Sequence, residues 1–583
     1  MKQFKNITVL LAILFLQKAV GQYDQEIIAE GPLQLSVGKV FKIAEQPKTI
    51  DSTFLTQELS YQLIPRRAFS EFKPTVLTPA KIEIKPKAPK LYKAYTKLGI
   101  GTFTTPLAQL YYNSMRTNKG AWGFSYDHLS SAGGVSNAPQ SRFSDNAIDF
   151  WGRAFLRKHV AEGKFGWNRN HNHFYGMDLT NSDLEIPDED IEQTFNEFGG
   201  GVGIKTYHRD STKISYAANL NGYYLTAREE TKETHIAIDG WVNKREGDYI
   251  FEIGGELISN NYQSLSNRAL NYLDTTGGTM VQSQIENTYF IFTAKPKIRA
   301  DVGNLQADVG LDINYENQIS GEFKFYPQAF VSYELFDGII VPYIHYTGGL
   351  ERNTYNSLRK DNPFLLNSIA FDDELFDLDP DLRNTNNRFD LNGGIKARFS
   401  NTLSLSGNVR VHRFKDLPMF VNDTTYSNEN RFGVIYDDGR LLGISGQIAY
   451  RYNEFLNLTA GLELQDFNMD NEEEAWHRPE TKFTAGVIFD YNDKLVAKFD
   501  AYMIGKRFVK SLLPIEDQEP LNDGSYKTTV DAYFDASLSA EYRYTKRLSA
   551  FLELNNITGG RYERWYRYRT QPFQVMGGIS YSF

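Results

Sequence analysis

From about residue 92 to the C-terminus the chain alternates apolar and polar residues at every second position, segment after segment. Leu456, Leu458, Ala460, Leu462 and Leu464 fall on one face of an extended chain, with Asn457, Thr459, Gly461, Glu463 and Gln465 on the other. The same period of two runs through Val530, Ala532, Phe534, Ala536, Leu538, Ala540 and Tyr542, and through Phe483, Ala485, Val487, Phe489 and Tyr491. Leu403, Leu405, Gly407, Val409 and Val411 make a fourth such face, and Ile214, Tyr216, Ala218, Leu220, Gly222 and Tyr224 a fifth. A helix would bring its apolar positions back every three and four residues, so these segments are predicted strands. Several alternate for ten residues or more, the length a tilted membrane strand needs and about twice that of an ordinary soluble strand. One face apolar and the other carrying Asp, Glu and Arg suits lipid outside and water inside. Tyr450 and Tyr452, or Tyr542 and Tyr544, sit at strand ends, where interface girdles form. A soluble β-sandwich or propeller shares part of this pattern, but not the strand length.

The connections support closure. Tyr452-Asn453-Glu454-Phe455, Tyr491-Asn492-Asp493-Lys494 and Tyr544-Thr545-Lys546-Arg547 read as tight turns, alternating with long connections near 178–190, 259–283, 350–385 and 509–526. Short periplasmic turns and long outer loops are the usual barrel asymmetry. The expected fold class is therefore all-β: a large antiparallel transmembrane β-barrel of about 22 strands over residues 92–583, after a short N-terminal periplasmic segment. A barrel of that size encloses a wide lumen.

The first 21 residues have the form of an export signal: Lys2 and Lys5, an apolar run from Ile7 to Leu16, and Ala19-Val20-Gly21 for cleavage before Gln22. The run is too short to span a bilayer as a helix. Residues 22–91 differ from everything downstream. Pro65, Pro74, Pro79, Pro86 and Pro89 stand among Arg66, Arg67, Lys73, Lys81, Lys85, Lys87 and Lys90, which favours an extended, solvated periplasmic arm, either a tether or a basic docking segment.

Composition narrows the chemistry. Of 583 residues, Lys and Arg number 63 against 72 Asp and Glu, a net charge of −9 that gives no drive towards nucleic acid. Aromatics reach 14%, as strands and membrane interfaces favour, and the absence of Cys excludes thiol catalysis, thiolate metal sites, disulfides and a lipidated N-terminal Cys. No phosphate loop, HExxH or GxSxG motif is present, and no carboxylate pair stands out, so no enzyme activity and no cofactor are expected. His171 and His173 share a strand face, a spacing that can grip a transition metal, but no third ligand is evident. The acidic stretch Asp372, Asp373, Glu374, Asp377, Asp379 and Asp381 offers hard oxygens without a calcium-loop pattern and reads as a solvated loop. Further acidic runs at Asp470–Glu474 and Glu185–Glu192 gather negative charge in loops.

The C-terminus carries the most specific motif. Met576-Gly577-Gly578-Ile579-Ser580-Tyr581-Ser582-Phe583 resembles the closing strand of outer-membrane barrels, with Gly578, Tyr581 and the final Phe583 in the places of the assembly signal. Leu552-Glu553-Leu554-Asn555-Asn556-Ile557-Thr558, followed by Arg561-Tyr562-Glu563 and Tyr566, resembles the penultimate hairpin of TonB-dependent receptors. That resemblance implies a barrel in the outer membrane of a Gram-negative bacterium, with outer-membrane lipids and the barrel-assembly machinery as partners. It also implies uptake of a nutrient or siderophore, substrate unspecified. It stops at the N-terminus: the family places a globular plug before the barrel, residues 22–91 are too few for one, and Thr53-Phe54-Leu55-Thr56 is too generic to serve as an energising motif. A separate plug, a lipoprotein or a periplasmic partner would fill that role. The alternative is a non-transporting barrel subunit of a larger outer-membrane assembly.

Overall fold

The computed structural model describes residues 92–583, apart from 116, 136–137, 178–186, 208–211, 229, 270–279, 319–320, 368–381, 424–429, 512–519 and 522–523. The export signal, the arm and the whole 372–381 acidic stretch therefore lie outside the described residues.

Twenty-two strands form a single antiparallel sheet in which each pairs with the next, and the sheet closes where β1 (Ala94–Gly101) meets β26 (Gln574–Ser582). Two two-stranded ribbons lie outside it: β20 (Arg507–Ser511) with β21 (Tyr526–Val530), and β24 (Glu563–Trp565) with β25 (Tyr568–Arg569). Closure leaves no free edge strand, the condition for a sheet to sit in hydrocarbon, although the ladder between Glu322–Tyr333 and Ile340–Glu351 is short, from Ala329↔Tyr346 to Ser332↔Tyr343.

Alternation sorts the two faces as expected. In β17 (Leu456–Met469), Leu462 and Leu464 point out of the barrel and are exposed, while Glu463 and Gln465 line the lumen. Ile253 and Val309 are 67% and 61% exposed, and Ile238, Phe325, Ile444 and Ile579 continue the belt around the wall. A belt this apolar on a closed barrel has no reason to face water; it is the lipid surface, and it places the protein in an outer membrane.

The three turns singled out above all leave one rim; in the tight connection between the paired Tyr491 and Leu495, Asn492 and Asp493 take positive φ (both 53°), which short-chain polar residues such as Asn and Asp tolerate best. The long connections leave the other rim, which is the outer one. One expectation fails there. The connection drawn at 259–283 shrinks to 270–279, because β9 (Tyr249–Ala269) and β10 (Met280–Val302) stay paired from Tyr249↔Ala300 to Ala269↔Met280. Ser259 to Arg268 is rich in Asn, Ser and Gln and reads as loop; beyond the bilayer both faces of a strand may be polar, so the backbone ladder persists without an apolar stripe.

Candidate functional site: a roof over the lumen

The outer loops do not simply splay into solvent; several fold inward and pack over the mouth of the barrel. The principal one joins β13 (Ile340–Glu351) to β14 (Thr385–Arg398) and carries a short helix, α2 (Tyr355–Asp361), later in the chain than α1 (Asp188–Ile191). Thr354 caps α2 and exchanges hydrogen bonds with Ser357, so the turn forms despite its length. Tyr355 and Leu358, with Leu365 from the same loop, then project into an apolar cluster with Phe195, Leu225 and Tyr262 from the barrel wall, and with Phe432 and Tyr568 from other outer segments. The hairpin tip of β15 (Leu403–Asp423) and β16 (Arg431–Arg451) is buried on both faces. Phe420, Phe432 and Val434 join that cluster, while Met419, Val421 and Ile435 pack on Trp476.

The loop is also tied to the wall by polar contacts. The Glu233 carboxylate accepts from the Tyr355 and Asn356 amides, each at 2.9 Å, from Asn260 Nδ2 at 3.1 Å and from the Tyr223 hydroxyl at 3.0 Å. Glu197 holds Arg359 at 2.8 Å and Lys360 at 2.9 Å, with the guanidinium 4.7 Å above the Phe195 ring. Asn172 Nδ2 donates to the Pro363 carbonyl at 3.0 Å, and Leu366 N to the Phe432 carbonyl at 2.9 Å. Tyr262 donates its hydroxyl to the Asn367 carbonyl. Phe364 stacks on Tyr568 at 3.6 Å, and Gly176 lies so close beneath Tyr568 that a Cβ there would overlap the ring.

The acidic run at 470–474 is neutralised by its neighbours: Asp470 pairs with Arg413, Glu472 with Lys510, and Glu473 and Glu474 with Lys527. In the Glu185–Glu192 run, Asp188 pairs with Arg142 and Glu192 lies 3.6 Å from Arg228. His477, in the same connection as Asp470, is buried between Phe432 and Trp565, with ring centroids 5.4 and 5.1 Å away and neither ring nitrogen hydrogen-bonded. Burial, with Arg507 nearby, pushes its imidazole down to about 3.

His171 and His173 share a face as expected, the same outward face as Phe165 and Trp167, with rings 5.0 Å apart edge to face. Each is already occupied: His171 Nδ1 lies 2.8 Å from Thr194 Oγ1, His173 Nδ1 lies 2.9 Å from the Arg142 carbonyl, and Arg142 Nε donates to His173 Nε2 at 3.3 Å. Among the described residues no cluster of three metal-ligating side chains occurs.

The three C-terminal residues lie on the seam. Gly578 pairs with Gly99, and a Cβ there would overlap the Leu98 carbonyl and the Phe551 ring, which lies across it. Tyr581 pairs with Thr96, and Phe583 closes the last rungs, its carbonyl accepting from the Lys93 and Ala94 amides at 2.8 and 2.9 Å. Inside the seam Lys97 reaches Glu553 at 2.6 Å and stands 4.0 Å from the Phe551 centroid. This pair bridges β1 and β23 (Leu548–Asn555) across β26, a contact between residues 456 positions apart that the sequence did not reveal.

No family profile matches the chain, and no curated protein is similar to it in sequence. In three dimensions it superposes on the siderophore receptor PirA from Acinetobacter baumannii, with a TM-score of 0.62 over 84% of this chain and 80% of that one, at 10% identity. The FrpB iron transporter from Neisseria meningitidis matches with a TM-score of 0.63 over 85% and 82%, at 10% identity. The fold is that of the TonB-dependent receptor barrel. The pyoverdine outer membrane receptor FpvA from Pseudomonas aeruginosa also aligns, with a TM-score of 0.59 over 85% of this chain and 79% of its own, at 13% identity. The strand number and the fold suggested by the closing hairpin are thereby borne out. The neighbours are receptors and transporters, none of them an enzyme. What sequence reasoning missed on this receptor-type barrel is the roof: its aromatic residues are scattered over loops, where no periodicity marks them as partners.

Proposed function

We propose that the protein is a gated outer-membrane transporter or receptor-like channel, not an enzyme, in which the inward-folded first part of the β13–β14 connection, residues 352–367, controls passage through the lumen. The observation that carries this reading is the mode of closure. The loop crosses above a polar lumen and is held by Glu233 and Glu197, groups that can be released without breaking a strand pair. The lumen beneath is lined by charge: Lys297 and Arg299 face Asp308 across β10 and β11 (Leu305–Glu316), and Arg410 grips Asp390. A solute admitted there would be a small or medium polar nutrient or chelate; the resemblance to siderophore and metal receptors supports that class.

The strands flanking the loop are paired at Glu351↔Thr385, so residues 353–384 can be replaced by a short turn without moving the wall. In planar bilayers the full chain should show low conductance, and the shortened variant should conduct stepwise and at least tenfold more; equal conductance would remove the gate. The packing of the roof also favours a second reading, a non-transporting subunit of a larger assembly, because Tyr355, Leu365 and Phe432 are fully buried and opening exposes them. A silent bilayer for both forms, with a stoichiometric partner retained on purification, would decide for that reading.

A further inference from the structure

Beneath the foot of the gating loop, on the inner wall of β9 to β13, lies a cavity of about 150 Å³. That volume holds about five waters at ~30 Å³ each, or one small organic solute. Its charges are arranged in an unfinished way. Thr293 Oγ1 donates to Asn314 Oδ1 at 2.7 Å, which fixes the amide and turns Nδ2 away from Thr293. Asn314 is 4% exposed, yet Nδ2 has no acceptor. Asp312, also buried, takes Gln328 as a partner, while Lys295 stays 4.0 Å away. Arg352, the first residue of the gating loop, closes the cavity from above and is held on Glu256 at 2.9 Å. Ile291 and Leu350 supply an apolar flank. A buried donor amide without an acceptor has lost its water and gained nothing in return, so the site gains by taking a ligand that brings one.

We propose that this cavity is a luminal subsite for a small zwitterion, a free α-amino acid with a short side chain. The carboxylate accepts from Asn314 Nδ2 and from Lys295, the ammonium donates to Asp312, and the side chain rests on Ile291 and Leu350. Opposite charges held a few ångströms apart match a zwitterion better than either half, because an anion alone leaves Asp312 beside it and a cation alone leaves Asn314 unanswered. The inference rests on the reading of the lumen as a solute path and names what that path recognises.

The test is isothermal titration of L-alanine into the detergent-solubilised full chain, with acetate and ethylammonium as single-charge controls. Saturable one-to-one binding of alanine is expected, with each control at least tenfold weaker. Asp312→Asn and Asn314→Ala should each weaken binding tenfold or more. Leu350→Phe, which fills the cavity and removes no polar group, should abolish it, with heat-modifiable gel mobility confirming that each barrel is closed. No saturable heat up to about 50 mM alanine, acetate binding as tightly as alanine, or binding that survives Leu350→Phe would each overturn the proposal. Failure of the transport reading would show instead in the bilayer recordings, with the binding heat intact.

Discussion

At the scale of single residues, His477 is the sharpest test of the roof. Its imidazole is neutral in the folded chain down to about pH 3, whereas an unfolded histidine takes its proton near 6.5. Between those values the unfolded state binds the extra proton, so stability is unaffected above about pH 6.5 and falls as pH drops towards 3, by about 1.4 kcal/mol per unit at most. Hydrogen exchange of the loop amides should rise over that window. Burial raises the Asp361 carboxyl and so acts in the opposite direction. The informative quantity is therefore the difference between the native chain and His477→Phe, which should lose the histidine's share of the slope while keeping its ring contacts. An unchanged slope in the variant would exclude His477 as the source. Glu233 is the second such residue. Glu233→Ala strips two backbone amides of α2 of their acceptor and should raise bilayer conductance, whereas Glu233→Gln keeps one oxygen and should fall between.

At the scale of elements, the strands make two claims. The first concerns faces. An arginine at Leu462 meets lipid and costs about 2–4 kcal/mol near the midplane, while one at the neighbouring Thr459 meets the lumen and costs little. Since the chain has no Cys, single cysteines at the two positions can be probed with a membrane-impermeant thiol reagent; equal labelling would refute the assignment. The second concerns closure. We propose that Phe583, with Gly578 and Tyr581, is the handle read by the assembly machinery, so deleting Phe583 should lower the amount inserted. The Lys97–Glu553 pair lies within the closed seam. Lys97→Met leaves a buried carboxylate unpaired and should cost about 3–5 kcal/mol, while adding Glu553→Leu should recover most of it, as read from the urea midpoint of the heat-modifiable band. A double variant no better than the single would show that packing, not charge, holds the seam.

For the whole molecule, the question is what surrounds the barrel on its periplasmic side. We propose that residues 22–91 form a basic, proline-spaced arm after a cleaved signal, and that it docks a separate plug, lipoprotein or periplasmic protein. Contacts made by exposed Lys and Arg are screened over about 10 Å at 0.1 M salt. A partner recovered with the native chain at low salt should be lost at high salt and absent when residues 22–91 are removed. Retention by the shortened chain would place the contact on the barrel instead.

Much of this protein was already determined by its sequence, because a membrane wall has only two environments and a strand reports them with a period of two. Leu462 against Glu463, repeated along the chain, was enough for the fold class, the lipid face and, with turn spacing, the strand number. Gly578 to Phe583 marked the closing strand for the same reason: a local pattern with a local meaning. The roof and the seam were decided only by the tertiary structure. Glu233 meets the amides of residues 122 and 123 positions away, and Lys97 meets Glu553 across 456, distances at which nothing in the intervening chain signals the pairing. Loop aromatics such as Phe364 and Tyr568 look alike in sequence whether they face water or each other, and only closure of the wall brings them to the same axis.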